Sequence, residues 1–173
     1  MITLFLGGAN SGKSLVAERC ASALGEPVTY LATWRPPGPA QPDAGMDERI
    51  ARHRARRSPD WVTRELAGGE SLPQVLATLE GVVLVDALGT WVAGAPEFAV
   101  DVAALCSALV HRTGPTVVVS DEVGLGVHPS TPIGRRFREA LGPVNEAVAA
   151  VADAAWLVVA GRVLALGPSP WAP

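Results

Sequence analysis

Apolar residues in this chain come in short blocks rather than in strict alternation. Near-continuous aliphatic runs fill positions 2–6, 27–33, 82–86, 116–120 and 155–159, and a shorter run at 163–166 follows the last of them. Runs of this kind suit strands covered on both faces, which predicts a mostly parallel sheet flanked by helices. The spacing between them predicts a helix over 14–24 closed by Gly25, and further helices over about 47–57, 71–79, 97–112, 132–140 and 143–153. The last two runs predict a C-terminal hairpin. The expectation is therefore an α/β fold forming a single domain over residues 1–173. Residues 35–42 hold four prolines in eight positions, so they predict a stiff loop after the second strand.

The loop after the first strand carries the chemistry. Gly7-Gly8-Ala9-Asn10-Ser11-Gly12-Lys13-Ser14 is a G-x-x-x-x-G-K-S phosphate loop, and Lys13 is the one lysine in 173 residues. Strand, glycine loop and helix N-terminus together form an anion site: backbone N–H groups face the phosphates, a lysine reaches the β/γ oxygens and a Ser hydroxyl ligates Mg²⁺. Lys13 is therefore a catalytic candidate, and residues 7–14 are candidates for nucleotide binding. Ala32, Thr33 and Trp34, at the end of the second strand, are further candidates.

Acidic residues at strand ends extend the site. Asp86 ends an apolar run, where a P-loop enzyme places a carboxylate for Mg²⁺ or its water, so Ser14 and Asp86 are the metal candidates. Asp121 and Glu122 end another strand, with metal or acceptor contact and a plain turn role left open. Glu65 is a candidate acceptor for a ribose hydroxyl.

A second charged cluster lies at 47–57, where five of the thirteen arginines fall between 49 and 57. On a helix, Arg49, His53 and Arg56/Arg57 share a face. Beside a triphosphate site, Arg54, Arg56 and Arg57 suit phosphate oxygens, and His53 suits nucleophilic attack from its neutral form. Other features limit the alternatives. Net charge is −3 and pI ≈ 5.6, which argues against nucleic acid as a partner. No apolar run approaches a membrane span. Cys20 and Cys106 read as reduced packing residues of a cytoplasmic protein.

Together these segments resemble the bifunctional adenosylcobinamide kinase / adenosylcobinamide-phosphate guanylyltransferase family of cobalamin biosynthesis. The likeness runs through GGANSGKS (7–14), YLAT (30–33), MDERIARHRARR (46–57), VLVDALGTWV (83–92), SDEVGLGVHP (120–129), GRRFREALGPVNEAVAAVAD (134–153) and WLVVAG (156–161). It implies a RecA-like P-loop fold and a homotrimer. It also implies two reactions: phosphorylation of adenosylcobinamide by ATP or GTP, then transfer of GMP from GTP to adenosylcobinamide phosphate through a GMP–histidine. The family's guanylylated histidine maps onto His53. Asn10 and Asp121 depart from the family's common basic residue and asparagine. The residues alone also admit a monofunctional P-loop kinase or a non-catalytic GTP-binding module. His53 within Arg49-Ile50-x-x-His53-Arg54 separates these readings, because a plain kinase has no need of it.

Overall fold

In the computed structural model, which describes residues 1–34, 55 and 57–168, the blocks of the sequence become strands β1 (Ile2–Gly7), β2 (Val28–Ala32), β3 (Val62–Glu65), β4 (Val82–Asp86), β5 (Thr116–Asp121), β6 (Ala154–Val159) and β7 (Arg162–Leu166). They form one sheet in the order β3-β2-β4-β5-β1-β6-β7. All pairings are parallel except β6 with β7, which is the antiparallel hairpin expected from the sequence. The helices are α1 (Lys13–Ala23), α2 (Leu72–Thr78), α3 (Leu88–Ala93), α4 (Val102–His111) and α5 (Pro132–Val151). This is the mostly parallel, helix-flanked α/β fold that the sequence predicts.

The sheet separates two apolar layers. On one face Phe5, Tyr30, Leu84, Val117 and Val119 pack with Ala17 and Ala21 of α1. On the other, Leu4, Leu31, Val83, Val85 and Val118 pack with Leu72 and Leu76 of α2, Leu88 of α3, Leu105 and Leu109 of α4, and Leu141 and Val148 of α5. Leu4, Leu31, Leu72, Leu76 and Leu88 are fully buried, each contributing roughly 2 kcal/mol by leaving water. Ala17 and Ala21 carry no bulk, so α1 lies close to the sheet and brings the phosphate loop onto its carboxyl edge.

Four differences from the expected elements have local causes. The helix expected over 97–112 starts only at Val102. A short 3-10 turn, Pro96–Phe98, precedes it, and the Asp101 side chain caps α4 by accepting from the Ala104 N–H at 2.8 Å. The two helices expected over 132–140 and 143–153 are one helix, with Pro143 inside it. Gly142 and Pro143 are exposed, while Leu141, Val144 and Val148 keep one buried stripe running across them. Strand β3 carries too few apolar residues in series to be read from periodicity, and helix α3 is only six residues long. The stretch expected as a helix over 47–57 and the loop at 35–42 lie outside the described residues, apart from Ala55 and Arg57.

Candidate functional site

Two rows of residues meet at the carboxyl edge of the sheet. Register sets Glu65 beside Ala32 and Ala32 beside Asp86, while Gly7 sits beside Asp121. The phosphate loop therefore leaves β1 next to β5, and Asp86 stands one strand further on.

Gly7 and Ser11 are buried, whereas Gly8, Ala9 and Asn10 form the exposed crest of the loop. Asn10 has φ 56°, the left-handed region that asparagine tolerates better than most side chains. Gly12 caps α1 at φ 91°, and a Cβ there would come within 3.1 Å of the Gly161 backbone, so only glycine fits this turn. The loop is closed from below by the Gly161 N–H donating to the Ser11 carbonyl at 2.7 Å. The first-turn N–H groups of α1 have no partners within the helix and point toward the loop.

Lys13 begins α1, and its side chain is only 3% exposed. Its ammonium turns back over the loop, donating to the Gly8 carbonyl at 3.1 Å and ion-pairing with Asp121 Oδ1 at 2.7 Å. Asp121 is thus drawn into the site by direct contact. The sequence offers no sign of that pairing beyond an acid at the end of an apolar run. Asp121 is itself confined: a Cβ at Gly89 would collide with its Oδ2, and Asn145 of α5 donates to its main-chain carbonyl at 3.0 Å.

Asp86 is held differently. The Tyr30 hydroxyl donates a hydrogen bond to Asp86 Oδ2 across β2 and β4. Burial, followed by the Asp86 charge, pushes the Tyr30 hydroxyl far above the ordinary phenol range, while the Arg57 cation opposes the shift. Arg57 stacks on the Tyr30 ring with its guanidinium carbon 3.2 Å from the ring centre, and donates to Thr63 Oγ1 at 3.3 Å. The arginine expected at the phosphates thus lies over β2. Thr33 is buried, and its hydroxyl meets the Ala87 carbonyl at 2.5 Å and Thr90 Oγ1 at 2.6 Å, tying the end of β2 to the start of α3. Trp34 is half-buried and Glu65 is exposed at the end of β3. His53, Arg49, Arg54 and Arg56 lie outside the described residues.

The donors at this edge suit a hard cation. Ser14 is buried in the first turn of α1, and among the described residues its hydroxyl has no hydrogen-bond partner. Like the Asp86 and Asp121 carboxylates, it offers oxygen, the donor type that Mg²⁺ takes together with phosphate oxygens. Cys20 and Cys106 are free, and burial pushes both thiols above the ordinary cysteine range.

Known proteins are similar in sequence to nearly the whole of this chain. The family described as cobinamide kinase / cobinamide phosphate guanyltransferase matches residues 3–166. The bifunctional adenosylcobalamin biosynthesis protein CobP of Pseudomonas aeruginosa is 36% identical, covering 98% of this chain and 99% of its own length. The bifunctional adenosylcobalamin biosynthesis proteins CobU of Salmonella typhimurium and Escherichia coli are each 33% identical, covering 93% of this chain and 97% of theirs.

Proposed function

This chain belongs to the cobinamide kinase / cobinamide phosphate guanyltransferase family, and we propose that one triphosphate site at its phosphate loop serves both reactions. It is an enzyme of cobalamin biosynthesis, a kinase toward cobinamide and a guanylyltransferase toward cobinamide phosphate. The observation that carries the shared site is Lys13, whose buried ammonium is aimed across the loop by Gly8 and Asp121.

In the kinase reaction the terminal hydroxyl of adenosylcobinamide attacks the γ-phosphorus of ATP or GTP. The oxygen–phosphorus bond forms as the bond from the γ-phosphorus to the β–γ bridging oxygen breaks, and the hydroxyl proton passes to water. Lys13 and the first-turn N–H groups of α1 neutralise charge on the departing diphosphate. In the transferase reaction His53 attacks the α-phosphorus of GTP and pyrophosphate leaves, giving a GMP–histidine. An oxygen of adenosylcobinamide phosphate then attacks that phosphorus, forming adenosylcobinamide-GDP and freeing the imidazole. Ser14 and Asp86 would hold Mg²⁺, which when bound withdraws charge from the phosphates. Ala32, Thr33 and Trp34 line the approach beside Asp86, and Glu65 lies one strand beyond.

The homotrimer is part of the same reading. Its support is β7, an edge strand whose Val163, Leu164 and Leu166 are all exposed. A cytoplasmic setting accords with two free cysteines.

Labelling with [α-³²P]GTP tests the covalent step. The expected product is a protein-bound phosphoramidate that is acid-labile, alkali-stable and discharged by adenosylcobinamide phosphate. Full labelling of a His53→Ala variant would remove His53 from the mechanism.

A further inference from the structure

We infer that Asp121 makes nucleotide binding at the phosphate loop conditional on Mg²⁺, an inference that rests on the nucleotide reading above. An ammonium has three N–H donors. Gly8 takes one at 3.1 Å and Asp121 takes another at 2.7 Å, so one is left for a phosphate oxygen.

The carboxylate is hemmed in on one side. Its Oδ2 lies against Gly89, where even a methyl group would collide. Its backbone is fixed on both sides: Asn145 holds the Asp121 carbonyl, and the next residue, Glu122, donates its N–H to the Gly7 carbonyl at 3.0 Å. A metal-free triphosphate therefore approaches a lysine already paired with an anion whose main chain is held in place. Two like charges a few ångströms apart repel strongly where water is partly excluded, and the Asp121 side chain is only 27% exposed.

Mg²⁺ removes that repulsion, because a hard cation takes carboxylate and phosphate oxygens together. The Ser14 hydroxyl is on hand as a further ligand. Asp86 does not impose the same condition. It stands on β4, with β5 between it and the loop-bearing strand, and it is engaged by Tyr30. Asp121 is thus a positioning residue that compensates Lys13 when no nucleotide is bound and weakens triphosphate binding without its metal.

Calorimetric titration with α,β-methylene-GTP, which cannot donate GMP, tests this in EDTA and in excess Mg²⁺. Asp121→Asn is expected to bind the metal-free analogue about tenfold tighter than the unaltered protein, so its gain from Mg²⁺ shrinks by the same factor. Asp121→Ser, also neutral, should behave alike and serves if the asparagine variant does not fold. A gain from Mg²⁺ within about twofold of the unaltered protein's in a folded neutral variant overturns the inference and leaves the nucleotide reading standing. If the unaltered protein binds the analogue in neither condition, the nucleotide reading falls and this inference with it.

Discussion

Asn145 on α5 and Ser120 near the end of β5 meet in a 2.6 Å hydrogen bond, with Ser120 completely buried. The same carboxamide donates to the Asp121 carbonyl, so one side chain satisfies both β5 groups beside the ion pair. Replacing Asn145 with leucine leaves the Ser120 hydroxyl unpaired, costing about 2 kcal/mol. For a domain of this size that lowers Tm by roughly 4–8 °C. Adding Ser120→Ala should recover part of the loss, because both partners are then gone. Strictly additive losses in the double-mutant cycle would mean the bond contributes nothing.

Tyr30 gives an alkaline signature. Its folded pKa is raised, so the proton it keeps on folding contributes stability that is intact below the unfolded tyrosine value of 10.0. That stability is lost as pH rises past 10 and the unfolded chain ionises. Urea unfolding at pH 8, 9, 10 and 11 should therefore show a steeper alkaline fall for the unaltered protein than for Tyr30→Phe. The variant should also lose about 1 kcal/mol at pH 8, where the Tyr30–Asp86 hydrogen bond is gone. Parallel falls for the two proteins would remove Tyr30 as the source.

Lys13 should be indispensable to both reactions. Lys13→Met is expected to lower phosphoryl and guanylyl transfer alike, each by about a hundredfold or more. Lys13→Arg should not restore them, since the slot leaves the lysine side chain only 3% exposed and a guanidinium is broader. Separate assays with γ- and α-labelled GTP read the two activities. Survival of either one would show that they do not share this loop.

Arg112 belongs to the framework alone. Its guanidinium donates to the carbonyls of Leu76, Leu79 and Gly81 at 3.2, 2.5 and 2.7 Å, and its Nε to Thr116 Oγ1 at 2.9 Å. Lysine cannot reproduce that fork. Arg112→Lys should cost about 2 kcal/mol in denaturant unfolding while leaving kcat of the folded enzyme unchanged.

The central strands were legible because Val82–Asp86 and its neighbours are buried on both faces, which leaves an unbroken apolar run in the sequence. The edge strand β3 was hidden because three of its four residues, in V-T-R-E, are exposed. Pro143 read as a break, yet burial on either side of it carries the helix through. The phosphate loop was plain because its function depends on local backbone geometry. Lys13–Asp121 and Tyr30–Asp86 were not, since they join residues 108 and 56 positions apart, and sheet order alone brings them together. Asn145 lacked even a strand-end cue, lying mid-helix on the layer that faces away from α1.

The Arg112 fork has a consequence for how this protein can change. It fastens the rim of the sheet where β4 and β5 begin, with contacts that no substrate competes for. The opposite rim is fastened by partnerships that ligands can rearrange. Durability and chemistry are thus written at opposite ends of the same strands. Substitutions at the first rim alter how long a molecule survives, and those at the second alter what it does. A lineage can therefore retune the acceptor it serves without first rebuilding the scaffold.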